Sequence, residues 1–278
     1  MFQGRTLLIV TKHEKEKVIA PLLEKELGVN CVVSSNFDTD ELGTFTGEIE
    51  RKEDPIKTVR KKCLQAMEYS NCDLAVASEG SFGPHPTVFF SYADDEFVIF
   101  IDKKNNFEII GRNLSLETNF NAKFVNCEKE LHEFANNVGF PAHALILRKD
   151  KNDFSNIVKG ITDSYDLDLA YQKLSGEDGK VYAETDMRAL YNPTRMKVIE
   201  KATLDLVKQI HSKCPNCKIP GFSVIEVKKG LPCEECHFPT KGTLSYIYSC
   251  KKCSFSKEEY FPNKVFVQSA EFCDICNP

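Results

Sequence analysis

The sequence predicts a mixed α/β domain over residues 1–212, with helices flanking a mixed sheet, followed by a small β module over residues 213–278. In the first part, short β-branched and leucine-rich runs alternate with segments whose apolar residues recur at helical spacing. Residues 87–112 contain further apolar runs separated by polar turns, as in an antiparallel meander. In the second part, four Cys-x-x-Cys pairs lie within the last 65 residues, a spacing typical of metal-binding modules.

The predicted domain begins with a strand at residues 6–10, a polar turn and a helix that ends at Gly28. A short strand at 31–34, a helix at 55–69 and a buried strand at 74–77 follow. The glycine- and proline-rich segment 78–86 is predicted to be a loop at the carboxyl end of that strand. Three meander strands come next, with Ala93-Asp94-Asp95 as the first turn; they are predicted at 87–92, 96–102 and 107–112.

The rest of the domain is predicted to be mainly helical. Helices are expected at 131–138 and within 157–174, with a strand-like segment at 144–147. The last long helix has Asn192 as its N-cap and Pro193 as its first residue, because both residue types favour a helix start. It runs to about Ile210 and connects the domain to the module.

Cys-x-x-Cys pairs let a tight turn direct two sulfur atoms at one ion. Eight thiolates suffice for two closed tetrahedral sites, which predicts two structural zinc ions, with an iron–sulfur cluster as the alternative. Gaps of 15 and 19 residues allow consecutive pairs to share an ion, whereas predicted strands at 222–227 and 244–249 favour an interleaved arrangement. His237 is interpreted as a loop residue. The predicted ligands are Cys214, Cys217, Cys233, Cys236, Cys250, Cys253, Cys273 and Cys276.

Composition limits where in the cell the protein is expected and which classes of molecule it is expected to bind. The chain lacks the roughly 20-residue apolar run of a membrane helix, and paired cysteines suit a metal in a reducing compartment, so a cytoplasmic protein without membrane contact is expected. Residues 197–278 carry a formal charge of +3 and residues 1–196 carry −8. Two zinc–thiolate sites would bring the module near −1, which disfavours nucleic acid without excluding it and leaves a protein partner at the module as an expectation.

Segment 78–86 is the candidate ligand site of the first domain, because ligands of α/β sheets collect at the carboxyl ends of strands. Glu79 could bind a metal or act as a base, and His85 could assist proton transfer. The alternative is a structural turn in which Pro84 and Pro86 fix the chain and His85 is capped by a backbone carbonyl. Basic residues that could hold a phosphate lie at the first strand–helix turn and at the start of the last helix, where solvation or pairing with carboxylates is the alternative: Lys12, Lys15, Arg188 and Arg195.

Several stretches together resemble a bacterial family of unknown function with a C-terminal zinc module of four Cys-x-x-Cys pairs. The similarity covers nearly the whole chain and implies the two-part architecture, with no particular activity. The stretches are ASEGSFGPHP (77–86), ETDMRALYNPTRM (184–196), CPNCKIPGF (214–222), GLPCEECHFPT (230–240) and CDICNP (273–278).

The first domain is also similar, more weakly, to the inosine-triphosphate pyrophosphatase superfamily. The similarity comprises the strand with its Thr-Lys turn, the segment GTFTGE (43–48), a lysine-rich helix and a strand that ends in an acidic segment. It implies phosphate binding by Lys12 or Lys15 and magnesium binding by Glu48 or Glu50 together with Glu79. Ser78-Glu79-Gly80 stands where that superfamily usually has paired aspartates.

Two functions follow as hypotheses. The first is a magnesium-dependent hydrolase of a nucleotide or another phosphorylated small molecule, with Glu79, Glu48 and His85 as catalytic residues. The second is a non-catalytic adaptor, in which the first domain binds a ligand and the zinc module binds a protein or nucleic-acid partner. Whether the protein is an enzyme stays open at this point.

Overall fold

A computed structural model describes residues 1–33, 54–176 and 179–278. The chain divides into two compact units, Met1–Val207 and Lys208–Pro278. Within the described ranges, no helix is long and apolar enough to cross a membrane. Glu48 and Glu50, which the superfamily resemblance singles out, lie outside the described residues.

The first unit is built on a five-stranded mixed sheet of order β2-β1-β3-β4-β5. Its first three strands are parallel to one another, and β4 and β5 continue it as antiparallel neighbours. The strands are β1 (Thr6–Val10), β2 (Asn30–Val33), β3 (Leu74–Pro84), β4 (Tyr92–Asp102) and β5 (Phe107–Ser115). This mixed sheet with flanking helices is the predicted fold class.

Two helices cover opposite faces of this sheet. The helix α1 (Glu16–Leu27) connects β1 to β2, and α2 (Pro55–Tyr69) precedes β3. The connection from β1 to β2 and the connection from β2 to β3 run in opposite directions across the sheet. Because such connections are right-handed, their helices lie on opposite faces. On the α2 side, buried side chains from the helix and the strands form one apolar cluster, which includes Val59, Ala77 and Ile99.

Two predictions about the meander are wrong. Segment 78–86 is not a loop, because β3 continues to Pro84 and pairs with β4 along its whole length. Residues 87–92 do not form a strand, and Ala93-Asp94-Asp95 is not a turn but the beginning of β4. Asp94 is buried, so the short-range turn preference of aspartate is overridden by its place in the sheet.

A second, four-stranded sheet completes the first unit, in the order β6-β9-β7-β8. The strands are β6 (Ala122–Val125), β7 (Leu145–Arg148), β8 (Ile157–Ile161) and β9 (Val181–Thr185). The helices α3 (Glu128–Asn137) and α4 (Ser164–Leu174) share a buried apolar cluster with this sheet. The sequence reasoning missed β6, β8 and β9, whereas the helix that it expected within 157–174 is present as α4.

The helix α5 (Pro193–His211) follows the second sheet. It begins as predicted, since the side-chain oxygen of Asn192 accepts a hydrogen bond from the Arg195 backbone N–H at 2.9 Å. Gly111 of β5 allows close packing, because a Cβ there would lie 2.3 Å from the Ala202 carbonyl oxygen. Gly111 lies opposite Val98, and Val98 lies opposite Ser78, so these three residues share one face of the sheet. Ala77 and Ile99, the neighbours of Ser78 and Val98, belong to the cluster on the α2 side. The helix α5 therefore packs on the sheet face opposite α2.

The second unit contains a three-stranded antiparallel sheet of order β10-β11-β12, formed by Ser223–Lys229, Thr243–Ser249 and Ser256–Tyr260. Its small core centres on Phe222, whose ring stacks on Tyr248 at 5.6 Å between centroids and lies 5.9 Å from Phe255. Buried cysteines join this cluster. So small a core supplies little folding free energy by itself.

Two cysteine clusters and a buried charged site

The eight paired cysteines form two groups of four in the second unit. Within each group the sulfur atoms all lie within 4.8 Å of one another. One group joins the first and third pairs and the other joins the second and fourth. The members are Cys214, Cys217, Cys250 and Cys253 in the first group, and Cys233, Cys236, Cys273 and Cys276 in the second.

The sulfur spacing fits a tetrahedral metal ion. The contacts between pairs are 3.7 and 3.6 Å in the first group and 3.8 and 3.5 Å in the second. Four sulfurs at about 2.3 Å from a central ion would be separated by about 3.8 Å. Each group can therefore hold one ion in a closed four-thiolate site, with no position left for a reacting water.

Backbone N–H groups in the turns lower the pKa of two of these thiols and so favour the thiolate form that binds a metal. A hydrogen bond from the Phe255 N–H lowers the pKa of Cys253 to about 6, and one from the Cys276 N–H lowers the pKa of Cys273 to about 7. The hydrogen bond with Cys236 raises the pKa of Cys276 to about 12. Thiolates this close repel one another, and a bound cation relieves that repulsion.

Strand pairing explains the interleaved grouping. The strand β10 leaves the first Cys-x-x-Cys pair and β11 arrives at the third, and their antiparallel register sets Ser223 opposite Ser249. The first and third pairs are thus held side by side, while the second lies at the far end of the sheet. The residue after the second cysteine has a positive φ in the first three pairs, at Lys218, His237 and Ser254. His237 is accordingly a turn residue, as predicted.

In the first unit, charged side chains meet where β1 ends, beside the middle of β3. Pairing of β1 with β3 stops at Val10, opposite Ala77. Just beyond that point the Lys15 ammonium, buried at the start of α1, donates a hydrogen bond to the Ser78 carbonyl oxygen at 3.3 Å. Burial lowers the pKa of Lys15 to about 8; the positive charge of Arg195 acts in the same direction, and the carboxylates of Glu96 and Glu79 oppose it.

Glu79 lies on the α2 face of the sheet beside that lysine. Its side chain is 1% exposed, and its Oε2 accepts a hydrogen bond from Lys62 of α2 at 2.6 Å. The sequence reasoning named Glu79 but not Lys62. Lys62 could have been found from its position next to Cys63, on the apolar face of α2. A charged residue that is buried there requires a partner of opposite charge.

Arg195 is fully buried on the opposite face. Its Nε donates to Glu96 Oε1 at 2.6 Å, one Nη donates to the Met187 carbonyl oxygen at 2.5 Å, and its guanidinium lies 5.1 Å from the Phe82 ring centroid. Gly80 leaves room for the Glu96 carboxylate, since a Cβ there would lie 2.1 Å from Oε1. Phosphate binding by Arg195 would therefore require a rearrangement of this ion pair.

Asp94 lies two residues from Glu96 on the same face of β4 and is also buried. Burial raises the pKa of Asp94 to about 8, and the Glu96 carboxylate acts in the same direction. A carboxyl group and an amine that both titrate near neutral pH can exchange protons with a ligand under ordinary conditions. Asp94 and Glu96 were missed because sequence reasoning placed Asp94 in a turn.

The other predicted residues of the first unit lie elsewhere or have other partners. Lys12 is exposed, and Arg188 forms an ion pair with Asp186 at 2.6 Å. His85 accepts hydrogen bonds at Nδ1 from the backbone N–H groups of Thr87 and Val88, at 3.2 and 3.1 Å, which leaves the proton on Nε2. The structural alternative stated for His85 has a backbone carbonyl as its partner, whereas the partners here are backbone N–H groups.

Two surface grooves among the described residues of the first unit have volumes of about 360 and 350 Å³. One is formed along α2 by residues that include Lys57 and Lys61, and the other lies between β8 and α4 beside Lys159 and Asp166. Neither is lined by residues 78–86.

Comparison with known proteins gives one match. A family described as "Domain of unknown function (DUF6671)" matches residues 62–278, which include β3, β4, α5 and all eight cysteines of the two groups. No curated protein and no solved structure matches the chain.

Proposed function

The chain belongs to this family, and we propose that it is a zinc-containing hydrolase of a nucleotide or another phosphorylated small molecule, with the reaction in the first unit. The observation that carries this proposal is the charged cluster beside the carboxyl end of β1 and the middle of β3. There, three cationic side chains, Lys15, Lys62 and Arg195, accompany the carboxylates of Glu79, Asp94 and Glu96.

Phosphoryl transfer needs these two kinds of group together. Cationic side chains neutralise the phosphate oxygens, while carboxylates hold a magnesium ion or accept a proton from the attacking water. Water attacks phosphorus, the bond from phosphorus to the leaving oxygen breaks, and a proton is released. Lys15 is proposed to bind a phosphate oxygen in place of the Ser78 carbonyl, and Glu79 or Asp94 to accept the proton. Glu48, His85, Lys12 and Arg188 keep their predicted roles only as part of this proposal.

The metal of the second unit is proposed to be zinc, one ion per cysteine group, in a ribbon-like module. Four-thiolate sites with this sulfur spacing suit zinc, and a closed coordination sphere makes each ion structural. Because the core of the unit is small, metal binding would provide much of its folding free energy.

Substrate screening tests the hydrolase. Zinc-loaded protein is incubated with nucleoside triphosphates and phosphorylated small molecules, with and without magnesium, and released phosphate and pyrophosphate are measured. Lys15→Met should abolish release, because it removes a buried cation beside the carboxyl end of β1. Lys17→Met is the matched control: it lies two residues away, is exposed and pairs with Glu14, and it should retain full activity. No magnesium-dependent release from any compound would reject the proposal.

A second candidate, a protein-binding adaptor, is favoured by the surface of the second unit. Large apolar side chains there are more than half exposed, including Ile225, Phe266 and Phe272, and such surfaces often bind other proteins. Replacing all three with serine should weaken capture of a specific protein partner and leave the zinc content unchanged. Hydrolysis by the isolated chain together with unaltered partner capture would remove this candidate.

A further inference from the structure

A hydroxyl group and an imidazole meet at the start of α5, on residues that the proposed phosphate reaction does not use. The Oγ1 atom of Thr194 lies 2.8 Å from Nε2 of His143. The other ring nitrogen of His143, Nδ1, lies 3.2 Å from the Gly139 carbonyl oxygen. A carbonyl oxygen only accepts hydrogen bonds, so the neutral imidazole carries its proton on Nδ1. Its Nε2 is then an acceptor, and the Thr194 hydroxyl donates to it.

Neighbouring backbone contacts hold these two side chains in place. His143 lies just before β7, and the N–H of the next residue, Ala144, donates to the Tyr191 carbonyl oxygen at 3.1 Å, close to the start of α5. Gly139 permits the close approach of the imidazole, because its φ is +89° and a Cβ there would lie 2.7 Å from Nδ1. The backbone therefore orients the imidazole towards the hydroxyl, which is the arrangement that activates a hydroxyl nucleophile.

The pair is accessible, and a backbone donor lies beside it. Thr194 and His143 are both partly exposed. In the first turn of α5, the Arg195 N–H binds the Asn192 side chain, and the Met196 N–H binds the Asn192 carbonyl oxygen at 3.0 Å. The N–H of Thr194 itself has no hydrogen-bond partner in the part of the chain that the structure describes. This N–H and the positive end of the helix can stabilise a negative charge that develops next to the hydroxyl.

The surroundings select the class of substrate. Among the described residues, the hydrogen-bond partners of the two side chains are each other and a carbonyl oxygen, and none of them is charged. A phosphate dianion would need cations at this place, whereas a neutral acyl carbon would not. We propose that Thr194 and His143 are the nucleophile and the general base of an esterase site, which acts on a neutral, activated carboxylic ester. This activity is separate from the phosphate reaction of the charged cluster.

The reaction has two balanced steps. Thr194 Oγ1 attacks the carbonyl carbon of the ester and its proton passes to His143 Nε2, while the carbonyl oxygen becomes an oxyanion beside the Thr194 N–H. The bond from that carbon to the leaving oxygen breaks, and His143 gives the proton to the leaving oxygen, which yields an alcohol and an acyl-threonine. Water then attacks the acyl-threonine with His143 as the base, which yields a carboxylic acid and restores the hydroxyl.

Incubation of the zinc-loaded full chain with p-nitrophenyl acetate tests the esterase site. Peptide mass spectrometry after an acid quench locates the acetyl group and measures its rate of attachment. The wild type should carry acetyl on Thr194, and His143→Ala should slow acetylation of Thr194 about 100-fold, because it removes the general base. His132→Ala is the matched control: the Nε2 atom of His132 contacts Asp168 at 2.8 Å and no hydroxyl. It should be acetylated on Thr194 at the wild-type rate.

Two variants of Thr194 complete the test, with folding judged by circular dichroism and zinc content. Thr194→Val removes the hydroxyl at nearly constant shape and should abolish acetylation at this position, whereas Thr194→Ser keeps a hydroxyl and should retain it. If Thr194→Val does not fold, Thr194→Ser and His143→Ala decide the outcome. No acetyl group on Thr194 in the wild type, or equal rates in the wild type and His143→Ala, would overturn the inference. The hydrogen bond would then only link α5 to the residues before β7.

Discussion

The ion pair between Arg195 and Glu96 should be among the most important single interactions of the first unit. Both side chains are 0% exposed, and Arg195 also donates to the Met187 carbonyl oxygen. Replacing Arg195 with Met removes the positive charge and leaves Glu96 buried without it. Breaking a buried pair in this way costs about 3–5 kcal/mol. With a urea m-value of about 3 kcal/mol/M, the unfolding midpoint should fall by about 1–2 M.

Urea unfolding followed by hydrogen-exchange mass spectrometry measures this change, because peptides from 1–207 are followed separately from those of the second unit. Lys201→Met is the control on the same helix: its ion pair with Glu117 is largely exposed, and solvent screening leaves such a pair little effect on stability. The double variant Arg195→Met/Glu96→Leu should regain at least half of the loss, because it removes both charges. A loss below about 1 kcal/mol for Arg195→Met, or a loss equal to that of Lys201→Met, would refute the reasoning.

Three further predictions concern the metal ions and pH. Protein purified under reducing conditions should contain two zinc ions per chain by elemental analysis, and Cys233→Ser should retain one; iron in place of zinc would contradict the assignment. Chelation should make residues 208–278 sensitive to protease and spare residues 1–207, because metal binding stabilises the small unit; equal digestion of both units would argue against this. The folded-state pKa of Asp94, about 8, lies above its unfolded value of about 3.9. The contribution of the protonated Asp94 side chain to the free energy of unfolding is therefore complete below about pH 4 and is lost as the pH rises towards 8. In magnesium-free buffer, Asp94→Asn should match the wild type near pH 4 and exceed it by on the order of 4 kcal/mol at pH 7; a constant difference across this range would contradict the shift.

Local sequence patterns determined the features that short stretches of backbone can specify. Each Cys-x-x-Cys pair forms a tight turn on its own, so the eight cysteines of the two groups could be identified from spacing alone. The start of α5 followed from Asn192 and Pro193 for the same reason, since a capping hydrogen bond spans only three residues. The β1–α1 unit was likewise visible as an apolar run followed by helical spacing.

Tertiary structure decided which distant groups meet, because no short-range pattern carries strand register. Antiparallel pairing of β10 with β11 selected the interleaved cysteine groups over the consecutive ones that spacing also allowed. The register of β3 with β4 put Asp94 inside the sheet, although Ala93-Asp94-Asp95 has the composition of a turn. The sequence by itself determined which cysteines are paired and a mixed α/β fold. The partners of the buried charges, Lys62 for Glu79 and Arg195 for Glu96, were set by helices that pack across the sheet. Burial makes unpaired charges costly, so the packing of whole elements, and not local preference, fixed this site.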